Sequence, residues 1–229
     1  MPHSIASISV RMVWRASIRR IALYRFFAAL WRSSAVPDAL RRVLSRWCPG
    51  MSGAMAQHVV LLGLMGAGKT SIGRAVAERL GVELVDGDER LADCTGGRTA
   101  AQVADAEGID ALHALEAEIA VTALASSDPA VIGPAASVCE SAVVRDHLVR
   151  HIVVWLTAPV EYLARKAVKK GHRPLVNDQD PVQLMTRQRA VREPLVLALD
   201  PLVVDVSMID DDAAADTIVK FVRDRAGPA

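Results

Sequence analysis

The 229 residues carry a formal net charge of +1, but residues 1–50 hold nine Arg and one Asp, a charge of +8, which leaves −7 on the remainder. Six of the nine aromatic residues (Trp14, Tyr24, Phe26, Phe27, Trp31 and Trp47) also lie there, so a basic, aromatic-rich extension over residues 1–56 precedes one α/β domain of ordinary size over residues 57–226. Three cysteines, Cys48, Cys94 and Cys139, form no C-x-x-C pair, which excludes a disulfide framework and an obvious metal cluster and points to a reducing, cytoplasmic setting.

Within the extension, the apolar residues 21–31 are interrupted by Arg25 and are too short to span a bilayer. No later segment reads as a transmembrane helix. Arg11, Arg15 and Arg19 recur at helical spacing. Three readings stay open for this segment: an amphipathic helix in weak contact with a membrane surface, an organellar transit peptide rich in Arg and poor in acids, or sequence ahead of a start at Met51 or Met55. No nucleic-acid module is recognisable, so no nucleic-acid partner is expected.

Residues 58–62 (His-Val-Val-Leu-Leu) predict a short buried strand. It runs into Gly-Leu-Met-Gly-Ala-Gly-Lys-Thr at residues 63–70, an unbroken G-x-x-x-x-G-K-[ST] phosphate loop. A polyphosphate packs several negative charges into a small volume. It therefore needs close backbone N–H donors, a cation and a hydroxyl for the accompanying Mg2+. Gly63, Gly66 and Gly68 let the main chain approach the phosphates, Lys69 reaches the β/γ-phosphates, and the Thr70 hydroxyl faces the metal. Ile72, Val76 and Leu80 follow at helical spacing with Gly81 as a stop, so strand, loop and helix N-terminus converge on one anion site.

Further strands are predicted at 83–85, 130–133, 151–156 and 202–206, and helices at 111–124, 143–149, 160–168, 182–191 and 213–222. This β–α alternation predicts an α/β fold with a mainly parallel sheet, whose ligands bind beyond the carboxyl ends of the strands. The second strand ends in Val85-Asp86-Gly87-Asp88. Read as extended chain, residues i and i+2 point the same way, so one carboxylate faces Mg2+ and the other a hydroxyl substrate. Arg165, Lys166, Lys169, Lys170, His172 and Arg173 form a cationic cluster ahead of Pro174-Leu175. It reads as a lid able to close over ATP and stabilise the charge of a transferring phosphoryl group. One of Arg187, Arg189 and Arg192 is expected to face substrate.

In this order the motifs resemble those of the shikimate kinases, in the nucleoside-monophosphate-kinase group of phosphate-loop folds. The resemblance covers residues 58–224. It is carried by Gly63-Leu64-Met65-Gly66-Ala67-Gly68-Lys69-Thr70-Ser71-Ile72-Gly73, Val85-Asp86-Gly87-Asp88, Arg173-Pro174-Leu175, Arg192-Glu193-Pro194-Leu195 and Val203-Val204-Asp205. It implies a three-layer sandwich around a parallel five-stranded sheet, of the P-loop nucleoside triphosphate hydrolase type, in a cytoplasmic monomer. The implied activity is transfer of the γ-phosphoryl of ATP, with Mg2+, to the 3-hydroxyl of shikimate, a step of aromatic amino acid biosynthesis.

By position, the resemblance assigns ATP to Gly63, Gly66, Ala67, Gly68, Lys69, Thr70, Ser71 and Arg165, and Mg2+ to Thr70 and Asp86. Lys69, Asp88 and the lid residue Arg173 become catalytic, and Asp88, His113 and Arg192 bind the acceptor. Three departures bear on that acceptor. His113 stands where the family has a second carboxylate-binding Arg, an exchange expected to weaken carboxylate recognition by about 1–3 kcal/mol. Pro134-Ala135-Ala136 replaces a Gly-Gly-Gly, removing an N–H and adding methyl groups that obstruct a substrate lying against the backbone. Val196 replaces a Tyr. Two alternatives follow: a kinase for another polyol or sugar acid, and a catalytically weak nucleotide-binding paralogue acting through protein contacts.

Overall fold

The computed structural model describes residues 57–169 and 180–226, all within the unit Ala56–Ala229. The basic extension and the lid residue Arg173 lie outside the described residues. Five strands, β1 (Val59–Gly63), β2 (Glu83–Asp86), β3 (Ala130–Gly133), β4 (Ile152–Thr157) and β5 (Leu202–Asp205), pair in the order β2-β3-β1-β4-β5. Every pairing is parallel, with Val60 opposite both Ile132 and Val153 at the centre. The sheet has the strand number and parallel sense that the resemblance implies.

A parallel sheet covered on both faces has no solvent side, so its inner strands read as unbroken apolar runs. Every residue of β1 and β3 is buried, while the edge strands β2 and β5 keep exposed positions. From β1 the chain crosses over β3 to reach β2; from β3 it crosses β1 to reach β4. Strand order therefore reverses around β1 and β3, and a crevice opens beyond their carboxyl ends.

The helices are α1 (Lys69–Leu80), α2 (Gly87–Thr95), α3 (Ala100–Glu107), α4 (Ile109–Leu124), α5 (Ala142–Leu148), α6 (Val160–Lys169), α7 (Pro181–Leu197) and α8 (Asp211–Ala226), with a 3-10 turn at Ala136–Glu140. Gly81 ends α1 in a left-handed conformation (φ 68°), as its position predicts. α1 packs against α8, and Arg79 of α1 bridges Asp212 at 2.7 Å and Asp216 at 2.8 Å.

Three departures from the sequence reading concern helices. α2 begins directly at the end of β2, with Asp86 as its N-cap, so Asp86 and Asp88 do not share an extended segment. α3 is a short Ala-rich helix held at its start by a reciprocal Thr99–Gln102 capping box. α7 continues past residue 191 to Leu197, and Pro194 is accommodated in its last turn. Leu91 of α2, Ala100 and Val103 of α3 and Leu112 of α4 form a second small core beside the sheet.

At the amino ends of β1 and β4, on the far side from the crevice, His58 and His151 are buried with ring centroids 4.8 Å apart. The His58 backbone N–H donates to His151 Nδ1 (3.3 Å), and the Ala130 N–H donates to His58 Nδ1 (3.2 Å), tying β1, β3 and β4 together. An accepting Nδ1 requires the neutral ring. Burial lowers both pKa values. That of His151 is pushed further down, to about 4, by the neighbouring His58 and Arg150, against the opposing pull of the Leu124 carbonyl.

Unfolded histidine takes up a proton near pH 6.5 while the native His151 ring resists protonation down to about 4. Stability is therefore full above about pH 6.5 and declines as the pH falls toward 4, by on the order of 3 kcal/mol from His151. Urea unfolding at pH 7 and pH 4.5 measures this loss. In His151→Gln, which keeps an acceptor and does not titrate, the difference between the two pH values should shrink.

Candidate active site

The phosphate loop leaves β1 at Gly63 and enters α1 at Lys69. Gly66 and Gly68 both hold left-handed backbone, at φ 83° and 85°. At Gly66 space is forbidding as well: a Cβ there would stand 2.5 Å from the Leu163 carbonyl oxygen and 3.2 Å from the Ala167 nitrogen, both on α6. The loop is thus pressed against α6, and only glycine fits. Ala67, buried, donates its N–H to the Leu64 carbonyl (3.2 Å), and the Ser71 hydroxyl donates to the Gly68 carbonyl (3.2 Å). Lys69 Nζ donates to the Gly63 carbonyl (3.0 Å), which folds its side chain back over the loop. The result is a cradle of backbone donors at a helix N-terminus with a cation across it, an arrangement that receives phosphate.

Thr70, the second residue of α1, donates its hydroxyl to Asp86 Oδ2 at 2.7 Å. The other oxygen of Asp86 accepts the Asp88 N–H at 2.9 Å and so caps α2. Asp86 is buried, with both oxygens committed, and Asp88 stands in the first turn of α2. Thr70 and Asp86 present oxygen donors only, and no group of three His, Cys, Asp or Glu able to hold a metal occurs among the described residues. That donor set fits Mg2+, which takes one or two protein oxygens and fills its octahedron with water and phosphate oxygens.

A cleft of about 450 Å3 opens in front of these groups. Gly66, Gly68, Lys69, Thr70, Asp86, Asp88, His113 and Arg192 all line it. So do Pro134, Ala135 and Ala136, which form a wall along the cleft and do not close it. Arg192 is only 6% exposed; its Nε donates to Glu140 Oε1 at 2.7 Å. Glu140 ends the 3-10 turn, which Arg145 braces through the carbonyls of Cys139 (2.6 Å) and Glu140 (2.8 Å). Burial pushes the Cys139 thiol up to about 11, so it is no nucleophile at neutral pH.

Behind the cleft, Arg189 grips both oxygens of Glu193 (3.1 Å) and reaches the Ala158 carbonyl (3.1 Å) and Thr157 Oγ1 (3.2 Å) at the end of β4. The Arg189 guanidinium holds the Glu193 carboxyl below the usual range. Of the three arginines on α7, then, Arg192 faces the cleft, and Arg189 braces the junction of β4 with α6.

Gly63, Ala67 and Ser71 support the loop without lining the cleft. Arg165 is exposed on α6, whereas its neighbour Lys166 lines the cleft and lies 5.3 Å from the centre of the Tyr162 ring. The lining also includes groups that the sequence reading does not single out, above all Arg98 and Thr99 at the start of α3 and Gln188 on α7. The Thr99–Gln102 capping box is visible in the sequence and marks where that corner lies. Buried Glu116, which accepts a hydrogen bond from the Ser137 hydroxyl, is a further polar group beneath the wall.

The sequence model of the family described as shikimate kinase matches residues 65–223. Shikimate kinase of Symbiobacterium thermophilum is 39% identical over 140 residues, 60% of this chain and 79% of that protein. Shikimate kinase of Thermobifida fusca is 34% identical over 163 residues, 70% of this chain and 92% of that one. Among solved structures, shikimate kinase from Acinetobacter baumannii in complex with shikimate superposes with a TM-score of 0.70 at 26% identity, covering 76% of this chain and 97% of that one.

The crowding at Gly66 yields a direct expectation. Gly66→Ala combines a disfavoured φ with a backbone clash, and should lower stability by on the order of 2 kcal/mol or more. Thermal unfolding followed by circular dichroism reads the loss. ATP affinity, measured by calorimetry on the folded variant, should fall at least about tenfold as the loop is displaced.

Proposed function

We propose that this chain, which belongs to the shikimate kinase family, transfers the γ-phosphoryl group of ATP to the 3-hydroxyl of shikimate. One observation carries the reading: the phosphate loop, the two aspartates beyond β2, His113 and Arg192 all face a single cleft. A nucleotide tail and a carboxylate-bearing alcohol can therefore be held side by side. The cleft also stays open beside the Pro134-Ala135-Ala136 wall.

In this reading the N–H groups of Gly68, Lys69 and Thr70 cup the β- and γ-phosphates, and Lys69 balances the charge that gathers on them. Thr70 and Asp86 would hold Mg2+, which would supply positive charge to offset that of the phosphates. Asp88 orients the acceptor hydroxyl and takes its proton. The acceptor oxygen bonds to the γ-phosphorus as the bond from the bridging oxygen breaks, and ADP leaves. Such a transfer asks little covalent chemistry of the protein, so alignment and fixed charge supply most of the acceleration.

Arg192 receives the carboxylate of shikimate. Its Nε is already engaged by Glu140, which restrains the guanidinium where Arg192 lines the cleft. The proposal extends to a cytoplasmic monomer. Cys94 and Cys139 both carry free thiols, in keeping with a reducing compartment. No helix among the described residues is long and apolar enough to cross a membrane.

An assay coupling ADP release to an optical signal, run with shikimate and a panel of sugar acids and polyols, tests the reading. Turnover with shikimate should exceed that with every other acceptor. Lys69→Ala should cut kcat/KM at least about 100-fold, and Asp88→Asn should cut kcat by about 100- to 10,000-fold with ATP binding retained. ATP binding with no transfer to shikimate would overturn the assignment.

A further inference from the structure

We infer that Arg98 supplies the second permanent positive charge that receives the acceptor's carboxylate, in the place that His113 leaves without one. The inference rests on the reading that the acceptor is shikimate.

The cleft presents two carboxylates, Asp86 and Asp88, so an anionic acceptor seated beside Asp88 meets repulsion unless cations offset it. Four permanently charged cations line the cleft among the described residues: Lys69, Arg98, Lys166 and Arg192. Lys69 belongs to the phosphate loop and folds onto Gly63. Lys166 adjoins Ala167, whose backbone packs against Gly66, which places it on the nucleotide side. Arg192 and Arg98 are left for the acceptor.

Arg98 stands where that role requires. It directly precedes the Thr99 cap of α3, and α3 shares its small core with α2 and α4 through Leu91, Ala100, Val103 and Leu112. Asp88 lies one turn before Leu91, and His113 follows Leu112. Asp88, Arg98 and His113 are therefore carried by one packed body and keep fixed places relative to one another.

Its guanidinium, like that of Arg192, is tethered by a glutamate, although the Arg98 side chain is 41% exposed and that of Arg192 8%. Nη1 of Arg98 is held by Glu107 Oε1 at 2.6 Å and Nε donates to the Thr95 carbonyl at 3.2 Å, while Nη2 takes part in neither contact. The partner carboxylates are of similar exposure, 46% for Glu107 and 40% for Glu140. In each case the glutamate restricts the rotamer freedom of the arginine before any ligand binds. Two such forks suit the planar, bidentate geometry of a carboxylate.

Steady-state kinetics of Arg98→Ala and Arg98→Lys, each with shikimate and with its uncharged carboxamide, test this. Arg98→Ala should raise KM for shikimate about tenfold or more, with kcat changed far less and KM for ATP unmoved, and Arg98→Lys should fall between. Wild type and Arg98→Ala should handle the carboxamide alike. Glu107→Ala separates binding from architecture, since it removes the same tether to the end of α3 and keeps the guanidinium; it should share any loss of thermal stability but not the charge-specific rise in KM. Equal loss of shikimate and carboxamide, a KM effect confined to ATP, or identical behaviour of Arg98→Ala and Glu107→Ala would overturn the inference. Failure of the wild-type enzyme to phosphorylate shikimate at all would instead bring down the reading on which it rests, and this inference with it.

Discussion

The carboxylate of Asp86 joins the two halves of the cleft. One oxygen takes the Thr70 hydroxyl at the start of α1; the other takes the Asp88 N–H at the start of α2. The first contact fixes the strand end beside the phosphate loop, and the second fixes the start of the helix that carries Asp88, the carboxylate proposed to orient the acceptor. Because Asp86 is buried, neither contact competes freely with water. The separation of the phosphate loop from Asp88 is thus set by one side chain at a strand terminus. An alignment-dominated reaction calls for such a fixed reference point.

Around that point, three of the four cations that line the cleft among the described residues are held by hydrogen bonds within the protein. Lys69 is held by the Gly63 carbonyl, Arg192 by Glu140 and Arg98 by Glu107 and Thr95. Flexible cationic side chains lose considerable rotamer freedom when a ligand fixes them. Restraint within the folded protein moves that cost out of the binding step. Arg189 applies the same device one layer further back, where its pairing with Glu193 locks the end of β4 to α7.

Much of this is legible in the chain because its causes are local. The phosphate loop is eight consecutive residues whose glycines, lysine and threonine each answer a separate need of a polyphosphate, and the buried strands show as short apolar runs. α2 is hidden because Asp86-Gly87-Asp88 reads as extended chain until Asp86 is recognised as an N-cap, and because only Leu91 on that helix is buried. α7 is cut short by Pro194 in the reading, although a proline can be tolerated when packing holds the final turn. Arg165 and Lys166 differ by one position, about 100° of helical rotation, and only the tertiary phase of α6 decides which faces the cleft. Arg98 sits outside every motif. Its place follows from a small core assembled by residues more than twenty positions apart in sequence, Leu91 to Leu112.

That small core also bears on how the substrate side tolerates change. The apolar strands and α1 hold the nucleotide loop, whereas α2, α3 and α4 form a body with its own buried cluster. Of the three departures, His113 falls on that body, Pro134-Ala135-Ala136 form the wall and Val196 is buried on α7, so all lie outside the strands. The wall and the body are nonetheless coupled at one place. A Cβ at Gly87 would come within 3.1 Å of Pro134 Cα and 3.2 Å of the Ala135 nitrogen, so the first turn of α2 lies directly against the wall. Proline at 134 fixes φ there and stiffens the surface on which that turn rests. The wall therefore both shapes the cleft and supports the turn of α2 that carries Asp88.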